Sequence, residues 1–357
     1  MEERKGTDLG GSRLVPSVQE LVKESLVDVP PQYIRLDQDP PIISWPPSSL
    51  CEVPVIDLEQ LTSDDSSADH ELQKLHLACK DWGFFQIINH GVSGSLLDRV
   101  KKETQEFFKL PMEEKAKLWQ TAEDIEGFGQ AFVVSEEQKL DWADMFYVVT
   151  LPLHIRKPRL FSNLPLSFRE TLEEYSIELK NAALKTLLCI AKALKMETED
   201  MRVLFDQGMQ GMRMNYYPHC PQPEQVIGLS PHSDSVGITF LLQLNEVEGL
   251  QVRKDDKWIP VKPLTNAFVV NIGDILEMVT NGIYKSIEHR ATVNAHKERL
   301  SIATFLSPNL DGDIGPASSL TTPQTPPKFR RVTVVDYFKN FFANELKSKT
   351  NLERYHI

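Results

Sequence analysis

The spacing of hydrophobic positions changes twice along the chain, and the changes divide it. Residues 1–50 hold no sustained period: Pro and polar residues dominate, with a short amphipathic piece over 18–26. The PPIISWPP run excludes regular helix, so an extended arm or linker is expected there. PVIDL, at 54–58 within VPVIDL, reads as a first strand, the acidic, Ser-rich LTSDDSSADHE as a loop, and residues 71–81 as a helix. WGFFQIINHGV alternates and then meets Asn-His-Gly, which predicts a strand closed by a turn. Over 95–118 and again over 166–206, apolar residues recur every three or four positions. Leu96, Leu97, Val100, Phe107 and Phe108 mark the first helical block, broken at Pro111, and Leu172, Tyr175, Leu179, Ala183, Leu187 and Ala191 mark the second.

From about residue 212 to 305 the period shortens. RMNYY, VIGLSPHSD, ITFLLQ, GLQVRKDDKWIPV, AFVVNIGDILEMVT, KSIEHRATV and RLSIATFL read as short strands separated by Pro, Gly and Asp turn chemistry, the pattern of a barrel or jelly roll. A Pro/Thr loop follows, and a helix over 333–346 is placed to pack back on the body. The division expected is an arm over 1–50, a mixed region over 51–208, a strand-rich core over 209–309 and a C-terminal loop and helix over 310–357.

Composition narrows the partners. With 39 Lys+Arg against 51 Asp+Glu the formal charge is −12, and no basic run interleaved with aromatics offsets it, which argues against nucleic acid. Cys51, Cys79, Cys189 and Cys220 form no CxxC and suit reduced structural thiols. The start lacks a signal-peptide core, and the richest apolar stretch, 184–194, contains lysines and is too short to span a bilayer. A cytoplasmic monomer without membrane contact is the expectation.

Candidate chemistry gathers in the strand-rich region. In HSD, His232 and Asp234 are two apart, so on an extended strand an imidazole and a carboxylate share a face. His289, in the alternating SIEHRATV, adds a second imidazole. Two histidines and one carboxylate form the facial triad that suits non-haem Fe(II), although the ligand set by itself does not exclude Zn or Ni. Ten residues further, Arg299 and Ser301 again share a face, and the intervening NAHKE is short enough for an antiparallel hairpin that would carry them into the cavity of His289. A buried guanidinium beside a hydroxyl is a carboxylate clamp. Upstream, alternation sets Arg213, Asn215 and Tyr217 on one face, with Asn215 and Tyr217 able to hydrogen-bond a cosubstrate. Each piece also has a bland reading taken alone: a turn pair, a core histidine, an exposed arginine, a core tyrosine.

The order RMNYYPHCPQP, HSD, NIGDILEMVTNGIYKSIEHR and RLSIATF, with WGFFQIINHGV and VPVIDL before it, resembles the plant 2-oxoglutarate/Fe(II)-dependent dioxygenase family from about residue 14 onward. PSVQELVKE, EGFGQAFVVSEEQKLDWADMF and VEGLQVRKDDKWIPVKPL resemble its subgroup of senescence-related-gene-type proteins and thebaine and codeine O-demethylases. The resemblance implies a mixed α+β fold, a distorted jelly-roll (double-stranded β-helix) core braced by helices, isopenicillin N synthase-like, with 51–208 the dioxygenase N-terminal domain. It implies His232, Asp234 and His289 as iron ligands, Arg299 and Ser301 as the anchor of the far carboxylate of 2-oxoglutarate, and Asn215 and Tyr217 as further contacts. It further implies O2 as the second cosubstrate and ascorbate as the reductant.

The implied activity is hydroxylation or O-demethylation of a small plant specialised metabolite, whether phenolic, flavonoid, coumarin or alkaloid, with release of succinate and CO2. Substrate contacts expected are Arg213, Met145, Tyr147, Phe305, Phe338, Phe341 and Phe342, each equally explained by core packing; a lining that is apolar apart from Arg213 suits an aromatic or polycyclic molecule. Two other functions stay open at this point: oxidation of a gibberellin- or jasmonate-type hormone, and non-catalytic binding of metal or ligand in a retained jelly roll.

Overall fold

In the computed structural model residues 11–24, 26–36, 52–63, 66–346 and 349–357 are described; the PPIISWPP run and Cys51 lie outside them. The alternating segments form β1 (Val55–Asp57), β2 (Phe84–Ile88), β3 (Gly127–Gly129), β4 (Asp144–Leu151), β5 (Met209–Tyr217), β6 (Leu229–His232) and β7 (Ile238–Gln243). They continue as β8 (Leu250–Lys254), β9 (Lys257–Pro260), β10 (Phe268–Ile272), β11 (His289–Ala291), β12 (Arg299–Ser307), β13 (Asp313–Ile314) and β14 (Val332–Thr333). A major sheet runs in the order β1-β2-β10-β7-β12-β5-β4-β3 and a minor sheet in the order β6-β11-β8-β9, while β13 pairs with β14. Side chains of both sheets line one cavity, which is the interior of the jelly roll.

The helices are α1 (Val18–Lys23), α2 (Leu58–Leu61), α3 (Ser67–Leu77), α4 (Gly94–Lys109), α5 (Met112–Ala116), α6 (Pro158–Asn163), α7 (Leu166–Ala193), α8 (Thr198–Phe205), α9 (Asp274–Val279), α10 (Val334–Phe342) and α11 (Thr350–Glu353). Helix α4 shows how local sequence fixes them. The Ser93 hydroxyl caps its first turn by accepting from the Leu96 amide, and Leu96, Leu97, Val100, Phe107 and Phe108 are buried on one stripe. That stripe meets α7, which also packs on α3, α8 and β4. Alternation on β5 then divides two environments: Met212, Met214 and Tyr216 join this helical core, while Gly211, Arg213, Asn215 and Tyr217 face the cavity. Burial of each such apolar side chain contributes roughly 1.5–3 kcal/mol, and a single-residue slip of β5 would exchange the two faces.

Several expectations change. No β11/β12 hairpin forms: β11 pairs with β6 and β8 in the minor sheet, while β12 pairs with β5 and β7 in the major one. The NAHKE segment crosses between sheets, so His289 and Arg299 reach the cavity from different sheets. AFVVNIGDILEMVT is strand only as far as Ile272 and then becomes α9; at the bend, a Cβ on Gly273 would lie 2.1 Å from the Val236 carbonyl oxygen. GLQVRKDDKWIPV is two strands, because Asp255 and Asp256 both take positive φ (48° and 59°) and turn the chain back. The helix expected over 71–81 starts at Ser67, and its end widens into a π turn over Ala78–Trp82. Lys195, at φ 55°, interrupts the 166–206 block, and the C-terminal helix stops at Phe342. The described parts of the supposed arm are packed structure, with Val18 and Tyr33 fully buried beside Trp142 and Tyr217.

Candidate active site

His232 ends β6, and its strand partner across the minor sheet is His289 on β11, so their ring centroids lie 4.2 Å apart. Asp234 follows in the turn, placed by that turn rather than by strand alternation, and the Asp274 amide donates to its carbonyl oxygen at 2.7 Å. Its Oδ1 lies 3.5 Å from His232 Nε2 and 3.7 Å from His289 Nε2. The three ligand atoms all lie within 4.8 Å of one another, and the three residues are buried.

Surrounding groups aim these atoms. His232 Nδ1 donates to the Ser230 carbonyl (2.7 Å) and His289 Nδ1 to the Ile287 carbonyl (3.2 Å), which leaves both Nε2 lone pairs free for a cation. Asp234 Oδ2 accepts from Thr239 Oγ1 (2.6 Å) and Asn271 Nδ2 (2.8 Å), turning Oδ1 toward the histidines. Burial pushes the Asp234 carboxyl up, but His289 and His232 outweigh it and hold it well below the usual carboxylate range. Burial and His232 push the His289 imidazole down to about 4. At neutral pH the carboxylate is charged and this imidazole is neutral, the forms that bind a metal. A two-histidine, one-carboxylate set on one side of a cavity fits Fe(II) and keeps the other coordination positions open.

Strand register builds the rest in rows across the major sheet. Arg299 pairs with Tyr217; Ser301 pairs with Asn215 and Gln243, with Met145 beyond Asn215; Ala303 pairs with Arg213 and Leu241, with Tyr147 beyond Arg213. The next row joins Gly211, Phe305, Thr239 and Asn271. A Cβ on Gly211 would lie 2.4 Å from Tyr147 Oη, so that glycine makes room for the Tyr147 ring.

Apart from Met145, the first two rows are polar. Arg299 is 2 % exposed, donates from Nη2 to Gln243 Oε1 (3.2 Å) and lies 5.2 Å from the Tyr217 ring centroid, while its Nε has no hydrogen-bond partner. Asn215 donates to Ser301 Oγ at 3.4 Å, and its own buried Oδ1 is unpartnered. A buried cation with no carboxylate beside it among the described residues is costly until an anion arrives. The donor set therefore fits the free carboxylate of a five-carbon diacid.

Every residue expected from the sequence lines the one cavity: the triad, Arg299, Ser301, Asn215 and Tyr217, and also Arg213, Met145, Tyr147, Phe305, Phe338, Phe341 and Phe342. The space encloses about 1150 Å³, its open mouth included. The sequence reading missed Thr239, Asn271, Gln243 and Phe132. A polar residue inside an apolar strand, as in FVVNI and ITFLLQ, was the available signal for Asn271 and Thr239.

Similarity to known proteins agrees with this geometry. The 2OG-Fe(II) oxygenase superfamily profile matches residues 208–308, and the profile described as non-haem dioxygenase in morphine synthesis N-terminal matches 53–164. Protein SRG1 of Arabidopsis thaliana is 54% identical over 99% of this chain and 100% of its own length. Oxoglutarate-dependent flavonoid 7-O-demethylase 1 of Ocimum basilicum is 53% identical over 97% of this chain and 92% of its own. A crystal structure of JOX2 in complex with 2OG, Fe and JA superposes with a TM-score of 0.87 at 35% identity, covering 97% of this chain and 98% of that one. The chain belongs to the 2OG-Fe(II) oxygenase superfamily and is a dioxygenase that works with iron and 2-oxoglutarate.

Proposed function

We propose that the chain oxidises a C–H bond of a small, largely apolar plant metabolite, with removal of a methyl group from an aromatic methoxy substituent as the leading reaction. In this reading His232, Asp234 and His289 hold the iron, Arg299 and Ser301 bind the far carboxylate of 2-oxoglutarate, and Asn215 and Tyr217 complete its binding. When bound, the iron supplies, with 2-oxoglutarate and O2, the oxidant for the substrate, and succinate and CO2 leave. Oxygen insertion at a methoxy methyl gives a hemiacetal, which breaks its O–CH2 bond to release formaldehyde and leave a hydroxyl.

The chain's own residues orient and enclose. Thr239 and Asn271 fix Asp234, and backbone carbonyls fix both imidazoles, so the metal site is organised before loading. Met145, Tyr147, Phe305, Phe338 and Leu241 give the substrate side an apolar wall that excludes water. Arg213 stands within that wall, half-buried, with Nε unpartnered, and suits an acceptor oxygen on the substrate.

The observation that carries the reading is an apolar wall meeting, in one cavity, a metal triad and a buried guanidinium that no carboxylate among the described residues pairs. The name of the Ocimum relative, at about half identity, supports demethylation as the reaction. The test is to offer iron-loaded protein a panel of methoxylated flavonoids, coumarins and alkaloids beside acidic hormones. Substrate-dependent succinate with an equal amount of formaldehyde is expected. Stimulation by the acidic hormones alone would replace the reading, and no stimulation by any compound would remove it.

A further inference from the structure

Phe132 lines the cavity, yet neither strand alternation nor the C-terminal helix accounts for it. It lies between β3 and β4 at φ 64°, a left-handed conformation that a side-chain-bearing residue keeps only when its surroundings impose it. Those surroundings are specific. The Gln138 amide donates to the Phe132 carbonyl (2.8 Å) and accepts from the Val134 N–H (2.9 Å). Ser12 Oγ, buried, donates to the Gln130 carbonyl (3.0 Å) and accepts from the Val133 N–H (3.1 Å), so one hydroxyl spans the bend. The Arg13 N–H donates to the Val133 carbonyl (2.8 Å), and its guanidinium pairs with Glu136.

The far end of the same loop is held by the same N-terminal segment. Leu140 N–H donates to the Gln32 carbonyl, and Arg35 donates to the Lys139 carbonyl and to Asp141. Between these two grips the Phe132 ring packs 5.2 Å from Phe341, edge to face, and 5.7 Å from Phe342, within 13° of parallel. All three rings line the cavity while staying half-exposed, whereas the triad is buried, so they stand at its mouth.

We propose that Phe132 is a specificity-determining residue, closing the mouth against Phe341 and Phe342, and that Ser12 is its positioning residue, so that the N-terminal segment sets what size of molecule enters. The proposal goes beyond the reaction assigned above and rests only on this cavity being the substrate's. Opening the mouth separates Phe132 from two rings, and the tethers to residues 12–13 and 31–35 oppose that movement.

The test uses the full chain carrying Ala303→Cys, a thiol on the inner wall, in a Cys51→Ser background; Cys79, Cys189 and Cys220 are buried. Labelling is timed with the bulky N-phenylmaleimide and the small methyl methanethiosulfonate. Phe132→Ala and Ser12→Ala should each speed the bulky reagent about tenfold, the effect of losing one buried hydrogen bond or ring contact, and the small reagent by less than about twofold. Ser12→Thr, which keeps the hydroxyl, should behave as the parent. Unchanged rates in Phe132→Ala would overturn the gate, and unchanged rates in Ser12→Ala would overturn the positioning role. Equal acceleration of both reagents would mark general loosening and sink the proposal, with Phe132→Leu as the milder variant if Phe132→Ala does not fold. Labelling needs neither substrate nor iron, so a failed search for substrates leaves this result readable.

Discussion

A guanidinium at 2 % exposure, with an amide oxygen and a phenol ring for company, is the most demanding feature of the cavity. Bidentate pairing with a carboxylate would satisfy it, and a lysine ammonium cannot reproduce that fork. Arg299→Lys should therefore raise the KM for 2-oxoglutarate about 100-fold, a loss of roughly 2.7 kcal/mol, with kcat at saturation much less affected. Steady-state succinate formation reads this, and an unchanged KM would remove Arg299 from the site. Asp274 offers a second residue-scale prediction. Burial pushes its carboxyl up to about 7, with Ser286 and Lys349 only partly opposing. The folded state thus holds a proton that the unfolded chain releases near pH of about 4. Its stabilising effect is full below that pH and is lost as pH rises through about 7. Stability of the metal-free protein should fall by a few kcal/mol across that window, and Asp274→Asn should flatten the slope in denaturant titrations at stepped pH.

Helix α10 and the strands show what single elements contribute. Thr333 caps α10 by accepting from the Asp336 amide at 3.1 Å, and the helix carries Phe338, Phe341 and Phe342 to the cavity. Thr333→Ala should cost about 1 kcal/mol of local stability, seen as faster proteolysis within 334–346 while iron binding by the triad stays as in the parent. Equal proteolysis would show that packing, not the cap, holds the helix. Among the strands, legibility followed period. RMNYY and RLSIATFL were readable because side-chain alternation needs no tertiary information, and Asn215, Tyr217, Arg299 and Ser301 stand on the faces it predicts. The α9 segment was not, since all of DILEMV is buried, Asp274 and Glu277 included, and no exposed polar face marks a period that would distinguish helix from strand.

At the scale of the whole molecule, the cavity needs both sheets and the N-terminal segment at once. The Asp144 carboxylate accepts from Ser17 Oγ (2.7 Å) and from the amides of Val18 and Gln19, tying α1 to the strand that carries Met145 and Tyr147. Among the described residues no helix is long and apolar enough to cross a membrane. Because the triad draws on both histidine strands and the turn after β6, a bound metal and 2-oxoglutarate stabilise the fold as a unit. Under anaerobic conditions Fe(II) with 2-oxoglutarate should raise the melting temperature by several degrees, a chelator should reverse the rise, and Asp234→Ala should abolish it. A full shift in Asp234→Ala would move the metal elsewhere.

The sequence by itself determined which strand face Asn215, Tyr217, Arg299 and Ser301 occupy, because alternation is a local property, whereas Asp234 was set by the turn after β6. It also placed the helical blocks, whose apolar stripes are written every three or four residues. Only the tertiary structure decided that His289 and Arg299 come from different sheets rather than one hairpin, because strand pairing is a choice among partners distant along the chain. The same holds for the segment taken as a linker: the hydroxyl of Ser12 has a meaning only beside Val133, more than a hundred residues away, and no spacing in the sequence records that meeting.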